Sequence, residues 1–343
     1  METYKAGVLT GEQTLEIREL PLRRPGPGQA LVKVHSCAIC TLEQRVYLGA
    51  MKYYPFAGGH EVSGVVAEVG EGVKTLKPGD NVTARLLTSC GECYYCRSGL
   101  ENQCVISFKA STHEGLNGPG GLAEYMLMDS TALYKMAGGI DLGHAALAEP
   151  LACCVHSIGR GNIGLGEDVA VIGAGIMGAL HIRLAKLRGA RVIACEVDAA
   201  RLETARKMGA DVLVDSSRVD AVAEVKALTE GRGVSVAFCT AALPQLAAQA
   251  IAMTDKLGRV VLYSSFHPKN PIELDVNQVH YSEMIITGSV NPLVRDFQIS
   301  TRLLSSGLID PTPLISERKP FAQLTEAFER AIDPHTYRVL VTM

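Results

Sequence analysis

Residues 169–178 read Val-Ala-Val-Ile-Gly-Ala-Gly-Ile-Met-Gly, an apolar run that breaks into a G-x-G-x-x-G pattern. The pattern alone is weak. Placed after a strand-like run and before a helix-like stretch, it marks a βαβ turn that holds a dinucleotide pyrophosphate. Gly173, Gly175 and Gly178 permit the tight turn and a close backbone approach. The helix that opens at Ile176 and Met177 would face the pyrophosphate with free N–H groups and the positive end of its dipole. Glu196 closes the next apolar run, 18 residues after Gly178. A carboxylate there accepts hydrogen bonds from both ribose hydroxyls and repels a 2′-phosphate, so the pattern favours NAD over NADP. The plain alternative for Glu196 is a solvated strand-end charge. Arg201, one helical turn further on, would soften the rejection of NADP.

The alternation around this turn extends well beyond it. Apolar runs at 169–172, 191–195, 212–214, 234–238, 259–263 and 285–288 are separated by helical stretches. Such alternation predicts βαβ units and a doubly wound parallel sheet, an α/β fold. Residues before about 150 have a different texture: short alternating runs such as Ala30-Leu31-Val32-Lys33-Val34, punctuated by Gly and Pro. They predict an irregular β-rich barrel. Helices at 297–306 and 321–332 precede a last apolar strand at 337–342, which needs a sheet to join and is expected to rejoin the first domain. The expected domains are therefore 1–151 with 292–343, and 152–291.

Four cysteines, Cys90, Cys93, Cys96 and Cys104, stand in the order C-x-x-C-x-x-C followed by a fourth eight residues later. Thiols at this spacing can converge on a tetrahedral Zn²⁺ at about 2.3 Å, and four of them leave no open position, so the site would be structural. Disulfides or unrelated cysteines are the alternatives. The charged, apolar-poor start METYKAGVLT does not read as a secretory leader, which points to a reducing, cytoplasmic setting and away from disulfides. Cys37, Cys153, Cys154, Cys195 and Cys239 lie mostly in apolar stretches and read as small buried hydrophobes. A formal net charge of −3 gives no footprint for nucleic acid or anionic lipid, and no apolar run is long enough to span a membrane.

A third set is scattered: Cys40, then Gly59-His60-Glu61, then Glu149-Pro150-Leu151. Cys, His and Glu can hold Zn²⁺ while leaving a position open, but spacing alone does not assemble residues this far apart. Together with Gly64, Val69-Gly70, Lys77-Pro78-Gly79-Asp80, the cysteine lobe and the dinucleotide turn, they resemble the zinc-dependent medium-chain dehydrogenases. That family joins a GroES-like catalytic domain to a Rossmann domain. The resemblance implies that Cys40 and His60 bind a catalytic zinc and that Glu61 binds it or sits close. It also implies a second, structural zinc at Cys90, Cys93, Cys96 and Cys104. Glu149 is Cys in the simple-alcohol branch and Glu in the branch of sorbitol, threonine and galactitol-phosphate dehydrogenases, so it implies the polyol side.

The expected activity is hydride transfer between a secondary alcohol, a polyol or sugar, and NAD. A threonine-type dehydrogenase, or a binding protein that keeps the fold without turnover, are the alternatives. One departure bears on the proton path. The family places Ser or Thr two residues after the zinc-binding Cys, where this chain has Leu42; Thr41, Glu61 and Glu149 are the substitute candidates. Glu43 matches the family's usual Asp. Tyr47, Lys52, Tyr53 and Tyr54 are read either as polyol-binding groups or as an aromatic cluster packed on the barrel. The apolar strand at the end of the second sheet needs cover, which implies a homodimer or a tetramer.

Overall fold

The computed structural model describes residues 2–107, 112–266 and 269–343. Two compact units divide it: Met1–Ala152 with Leu293–Met343, and Cys153–Pro292. The first begins with a hairpin of β1 (Thr3–Gly11) and β2 (Thr14–Pro21). β3 (Gln29–Ala38) leads through the short helix α1 (Thr41–Tyr47) to β4 (Glu61–Val69) and β5 (Asn81–Ala84). The cysteine segment carries α2 (Tyr94–Arg97). Two two-residue strands, β6 (Thr112–His113) and β7 (Leu116–Asn117), precede β8 (Tyr125–Asp129) and β9 (Leu133–Lys135). Two helices follow, α3 (Leu142–Ala146) and α4 (Ala148–Gly161).

The second unit alternates as its sequence suggests. Its elements run β10 (Asp168–Ile172), α5 (Ile176–Leu187), β11 (Arg191–Glu196), α6 (Ala199–Lys207), β12 (Val212–Asp215) and α7 (Ala221–Leu228). They continue with β13 (Val234–Cys239), α8 (Pro244–Ala252), β14 (Thr254–Leu262), α9 (Val276–Ser282) and β15 (Ile285–Gly288). Every pairing in this sheet is parallel, in the order β12-β11-β10-β13-β14-β15. The order reverses at β10, and ligands of such sheets bind at that reversal. β10 and β13 are apolar on both faces because helices cover both sides: Val169, Ala170, Val171, Val236, Ala237 and Phe238 are all fully buried. β14 begins five residues before the expected 259, because Asp255 and Lys256 hide its start from a pattern reading, and the register shifts between Val234 and Val236.

The chain then returns. α10 (Val294–Ser305), β16 (Ile315–Pro320), α11 (Leu324–Ala331) and β17 (Arg338–Thr342) belong to the first unit. β17 pairs antiparallel with β3, as expected of a strand too apolar to stand alone. It completes the sheet β16-β17-β3-β4-β5-β9, with β8 also on β3. The helix expected at 321–332 splits into a 3₁₀ turn, Phe321–Gln323, and α11. Cys37, Val62, Phe328, Val339 and Val341 share the barrel core.

Candidate functional site

The cysteine segment closes on itself. Cys104 Sγ lies 3.5 Å from Cys90 Sγ and 3.9 Å from Cys93 Sγ, and Cys90 Sγ lies 4.0 Å from Cys96 Sγ. Sulfurs on a tetrahedron about 2.3 Å from its centre stand roughly 3.8 Å apart, whereas a disulfide needs about 2.05 Å. All four are free thiols, and one ligand atom from each falls within 4.8 Å of the others. Backbone N–H groups of Cys90 and Cys93 donate to the sulfurs of Cys104 and Cys90, each at 3.3 Å. Backbone donors draw the Cys93 thiol down to about 6, while burial and the neighbouring sulfurs push Cys96 up to about 12. Four thiolates share this space only around a cation, so the residues fit a closed zinc site.

The second cluster is assembled from three separate segments. Cys40 stands in an extended conformation at the N-cap of α1, between β3 and the helix. Glu43 lies in the first turn of α1 and is fully buried. His60 directly precedes β4, Glu61 opens it, and Glu149 lies in the first turn of α4. One ligand atom each from Cys40, Glu43 and His60 lies within 4.8 Å of the others, as do those of His60, Glu61 and Glu149. The glycine before the histidine is required by space. Gly59 has φ +97°, and a Cβ there would stand 2.5 Å from the Leu122 backbone N and 2.8 Å from Cys37 Sγ.

Two buried groups orient this cluster. Glu43 Oε1 sits 2.9 Å from His60 Nδ1 and accepts the Gly59 N–H at 2.9 Å, which leaves His60 Nε2 as the metal-facing nitrogen. Burial works against the Glu43 charge, but His60 and the Gly59 N–H outweigh it and hold the carboxyl below its usual range. Burial likewise opposes charge on His60, yet Glu43 and Cys40 push its pKa well up. Arg338, on β17, donates from Nε to Glu61 Oε2 at 2.8 Å and from Nη2 to Glu61 Oε1 at 2.6 Å. The same Nη2 lies 3.4 Å from Cys40 Sγ. Burial raises the Cys40 thiol, while Arg338 and His60 pull against it. Glu61, Glu149 and Cys40 thus interact with one guanidinium, and Glu43 Oε2 is buried without a hydrogen-bond partner. A divalent cation balances such a set, so the residues fit a metal site with mixed ligands.

The dinucleotide turn sits at the reversal in the second sheet. Gly178 is packed so closely that a Cβ would stand 1.8 Å from Gly173 O. Thr240 Oγ1 donates to Ile172 O at 3.0 Å and to Gly173 O at 2.9 Å, fixing the end of β10. Glu196 is 7% exposed; its Oε2 accepts the Ala174 N–H at 2.7 Å and its Oε1 accepts the Val197 N–H at 2.8 Å. The carboxylate therefore braces the turn and is no freely solvated strand-end charge. Gly175 caps α5, whose first turn holds Ile176, Met177 and Gly178, while Arg201 lies in α6 with its backbone N–H capped by Asp198.

Other sequence candidates fall outside these clusters. Thr41 is exposed at the first position of α1 and belongs to neither ligand group. Tyr47 is buried, its ring 5.0 Å from Phe328, and the Tyr54 hydroxyl donates to Val46 O. Both pack on the barrel, while Lys52 and Tyr53 are exposed. Arg338 was not among the sequence candidates. Its signal is a charged residue directly before the apolar run Val339-Leu340-Val341, in a strand otherwise suited to burial.

Comparison with known proteins decides the family. Residues 26–138 match the family model of the alcohol dehydrogenase GroES-like domain, and residues 177–306 match that of the zinc-binding dehydrogenases. The chain belongs to the zinc-binding alcohol dehydrogenase family. It is an oxidoreductase of that family, acting on CH–OH groups. It is 31% identical to a sorbitol dehydrogenase from Halalkalibacterium halodurans, over 95% of this chain and 95% of that one. It is 33% identical to an L-threonine 3-dehydrogenase from Pyrococcus horikoshii, covering 92% of this chain and 91% of the relative. A solved structure from Sinorhizobium meliloti, described as a zinc-binding dehydrogenase bound to NADP, superposes with a TM-score of 0.91 at 30% identity and full coverage of both chains.

Proposed function

We propose that this chain oxidises a secondary alcohol of the polyol or sugar class, reversibly, with NAD as hydride acceptor. The observation that carries the reading is the pair of groups Cys40/Glu43/His60 and His60/Glu61/Glu149, which meet at His60. Cys40 and His60 would hold a catalytic zinc, with Glu149 as third ligand. Glu61 is already held at both oxygens by Arg338, which leaves it a supporting anion beside the metal. The four cysteines would hold a second, structural zinc. When bound, zinc lowers the pKa of a coordinated hydroxyl and the nicotinamide accepts the hydride. The side chains supply the rest. Glu43 fixes the His60 ring, Arg338 offsets the charge of Cys40 and Glu61, and Leu42 excludes a hydroxyl relay. Glu149 is the carboxylate placed to pass the substrate proton to solvent. Changing Glu149→Gln should slow turnover and alter the pH–rate profile while zinc stays bound; an unchanged profile would assign the relay elsewhere, with Thr41 next.

NAD is favoured because Glu196 stands buried where a 2′-phosphate would need room. The NADP in the Sinorhizobium meliloti structure makes this the part of the reading most open to test. Equal use of both cofactors would overturn it. The polyol and threonine readings are separated by a panel of polyols, sugars and L-threonine, followed by NADH absorbance. Turnover of polyols supports the proposal, turnover of threonine alone supports the second reading, and cofactor binding without turnover of any would refute both. β15 ends the parallel sheet with Ile285 exposed, and an unpaired apolar edge favours association. A homodimer or tetramer is therefore expected by light scattering, and a monomer at micromolar concentration would contradict it. No helix among the described residues is long and apolar enough to cross a membrane, and a cytoplasmic location is the reading consistent with free thiols.

A further inference from the structure

Arg85 follows β5 and is buried, 8% exposed. Its backbone N–H is fixed on Ala132 O at 2.8 Å, and Nη1 donates to Leu87 O at 3.2 Å. Nε and Nη2 are also buried and have no hydrogen-bond partner. A buried guanidinium with two idle nitrogens is costly, because its lost hydration is not replaced. Arg338 shows the contrast, since every contact of its fork goes to Glu61 or Cys40. Arg85 lines a cavity of about 700 Å³, together with Gln29, Thr88, Ser89, Asp129 and Thr131. That size is ordinary for a small-molecule site. None of these residues belongs to either metal cluster.

We propose that Arg85 anchors a phosphate-binding site, separate from the catalytic cluster, that takes inorganic phosphate or a phosphate monoester. Nε and Nη2 form one edge of the planar fork, the edge that grips two oxygens of an oxyanion. Binding requires that edge to turn to the cavity about the terminal bonds of the side chain. The hydroxyls of Thr88, Ser89 and Thr131 supply donors for the remaining oxygens of a tetrahedral group. A carboxylate has two oxygens and would leave those hydroxyls idle. Asp129 is the only acid among the lining residues; it is exposed, and it weakens the site without cancelling the buried cation. Thr88 and Ser89 directly precede Cys90, and Val294, also on the cavity wall, donates its backbone N–H to Glu101 just before Cys104. A bound phosphate would therefore brace the barrel against the cysteine lobe.

The test uses the zinc-loaded full chain. Its melting temperature and calorimetric binding are followed against sodium phosphate, glycerol 3-phosphate and sodium malonate, each matched in ionic strength with sodium chloride. A saturable rise in melting temperature with phosphate or its ester is expected, since a ligand that binds only the folded state stabilises it by mass action. The tighter of the two identifies the source. Arg85→Met should abolish that rise and melt no lower than the parent without phosphate, because it removes an unpaired buried charge. Arg85→Lys keeps the charge but loses the fork, and should weaken phosphate at least ~10-fold. If Arg85→Met does not fold, an unchanged midpoint in Arg85→Lys overturns the proposal. So do an equal rise in parent and Arg85→Met, no rise with any phosphate, or tighter binding of malonate than of phosphate.

Discussion

The cysteine lobe and the Cys40 cluster lie in the same unit yet are built by opposite means. All four sulfurs of the lobe come from one fifteen-residue segment, and the metal they fit would hold the segment's shape. The residues of the other cluster come from segments far apart in the chain: the start of α1, the start of β4 and the first turn of α4. In the lobe every donor is a thiol, and no position is left for another ligand. In the mixed cluster the donors differ, and two of them are held by further buried groups: His60 by Glu43, Glu61 by Arg338. The contrast teaches what each site is for. A closed set contributes stability; a braced, incomplete set keeps room for a reacting group.

That contrast can be broken at several points. The largest effect is expected at His60. Changing His60→Ala removes a ligand from the incomplete set, and turnover should fall by at least ~10³-fold, the equivalent of several kcal/mol of metal assistance. The chain should stay folded, with Glu43 still held by the Gly59 N–H, and a collapse of the fold would show that the two sites do not differ as argued. Next comes Arg338→Met, which strands the buried Glu61 carboxylate and should cost about 3–5 kcal/mol by urea denaturation. Combining it with Glu61→Met should recover most of that loss. A double variant as unstable as the single would mean that Arg338 acts through other contacts.

A third effect sets one buried histidine against another. His60 is pushed up by Glu43, whereas His181, on α5 of the second unit, is pulled down to about 4 by burial. His181 is satisfied without charge, with Nδ1 2.7 Å from Met177 O and Nε2 2.7 Å from Ser157 Oγ. Between about pH 6.5 and about 4 the unfolded chain takes up a proton that the folded chain refuses. Stability therefore falls as the pH drops through that window, by about 3 kcal/mol in all, and levels off below it. His181→Gln should flatten this part of the stability curve; a curve identical to the parent's would assign the acid sensitivity elsewhere. The smallest effect is expected at Glu43. Glu43→Gln keeps the shape but loses the charge behind His60, and should cost roughly 10–100-fold in metal affinity or activity, measured by zinc titration against a chelator. Wild-type affinity and rate would make Glu43 a packing residue only.

How much of this was legible beforehand follows from sequence distance. The dinucleotide turn and the cysteine lobe are local, so spacing alone carried them, and the second sheet followed from the alternation around Gly173. The first unit is knit from pairings such as β17 with β3, hundreds of residues apart, and no periodicity records them. That is why Cys40, His60 and Glu149 needed a family resemblance to be joined, and why Arg338 was missed. Tyr47 and Tyr54 show the reverse limit: the sequence left substrate contact and packing equally open, while Tyr47 is buried and Tyr54 packs partly buried against the barrel core. Nothing local separates Arg85, with its idle nitrogens, from an ordinary surface arginine.

Zinc content tests the central claim most directly. Purified protein should hold two zinc ions per chain by metal analysis. His60→Ala should hold one, stay folded and lose turnover. Cys93→Ser should also hold one, and melt lower by on the order of 10 °C, since three thiolates and a hydroxyl hold the metal poorly. A parent chain with one zinc or none, or two variants that lose the same ion and fail in the same way, would contradict the division into a closed structural site and an open reactive one.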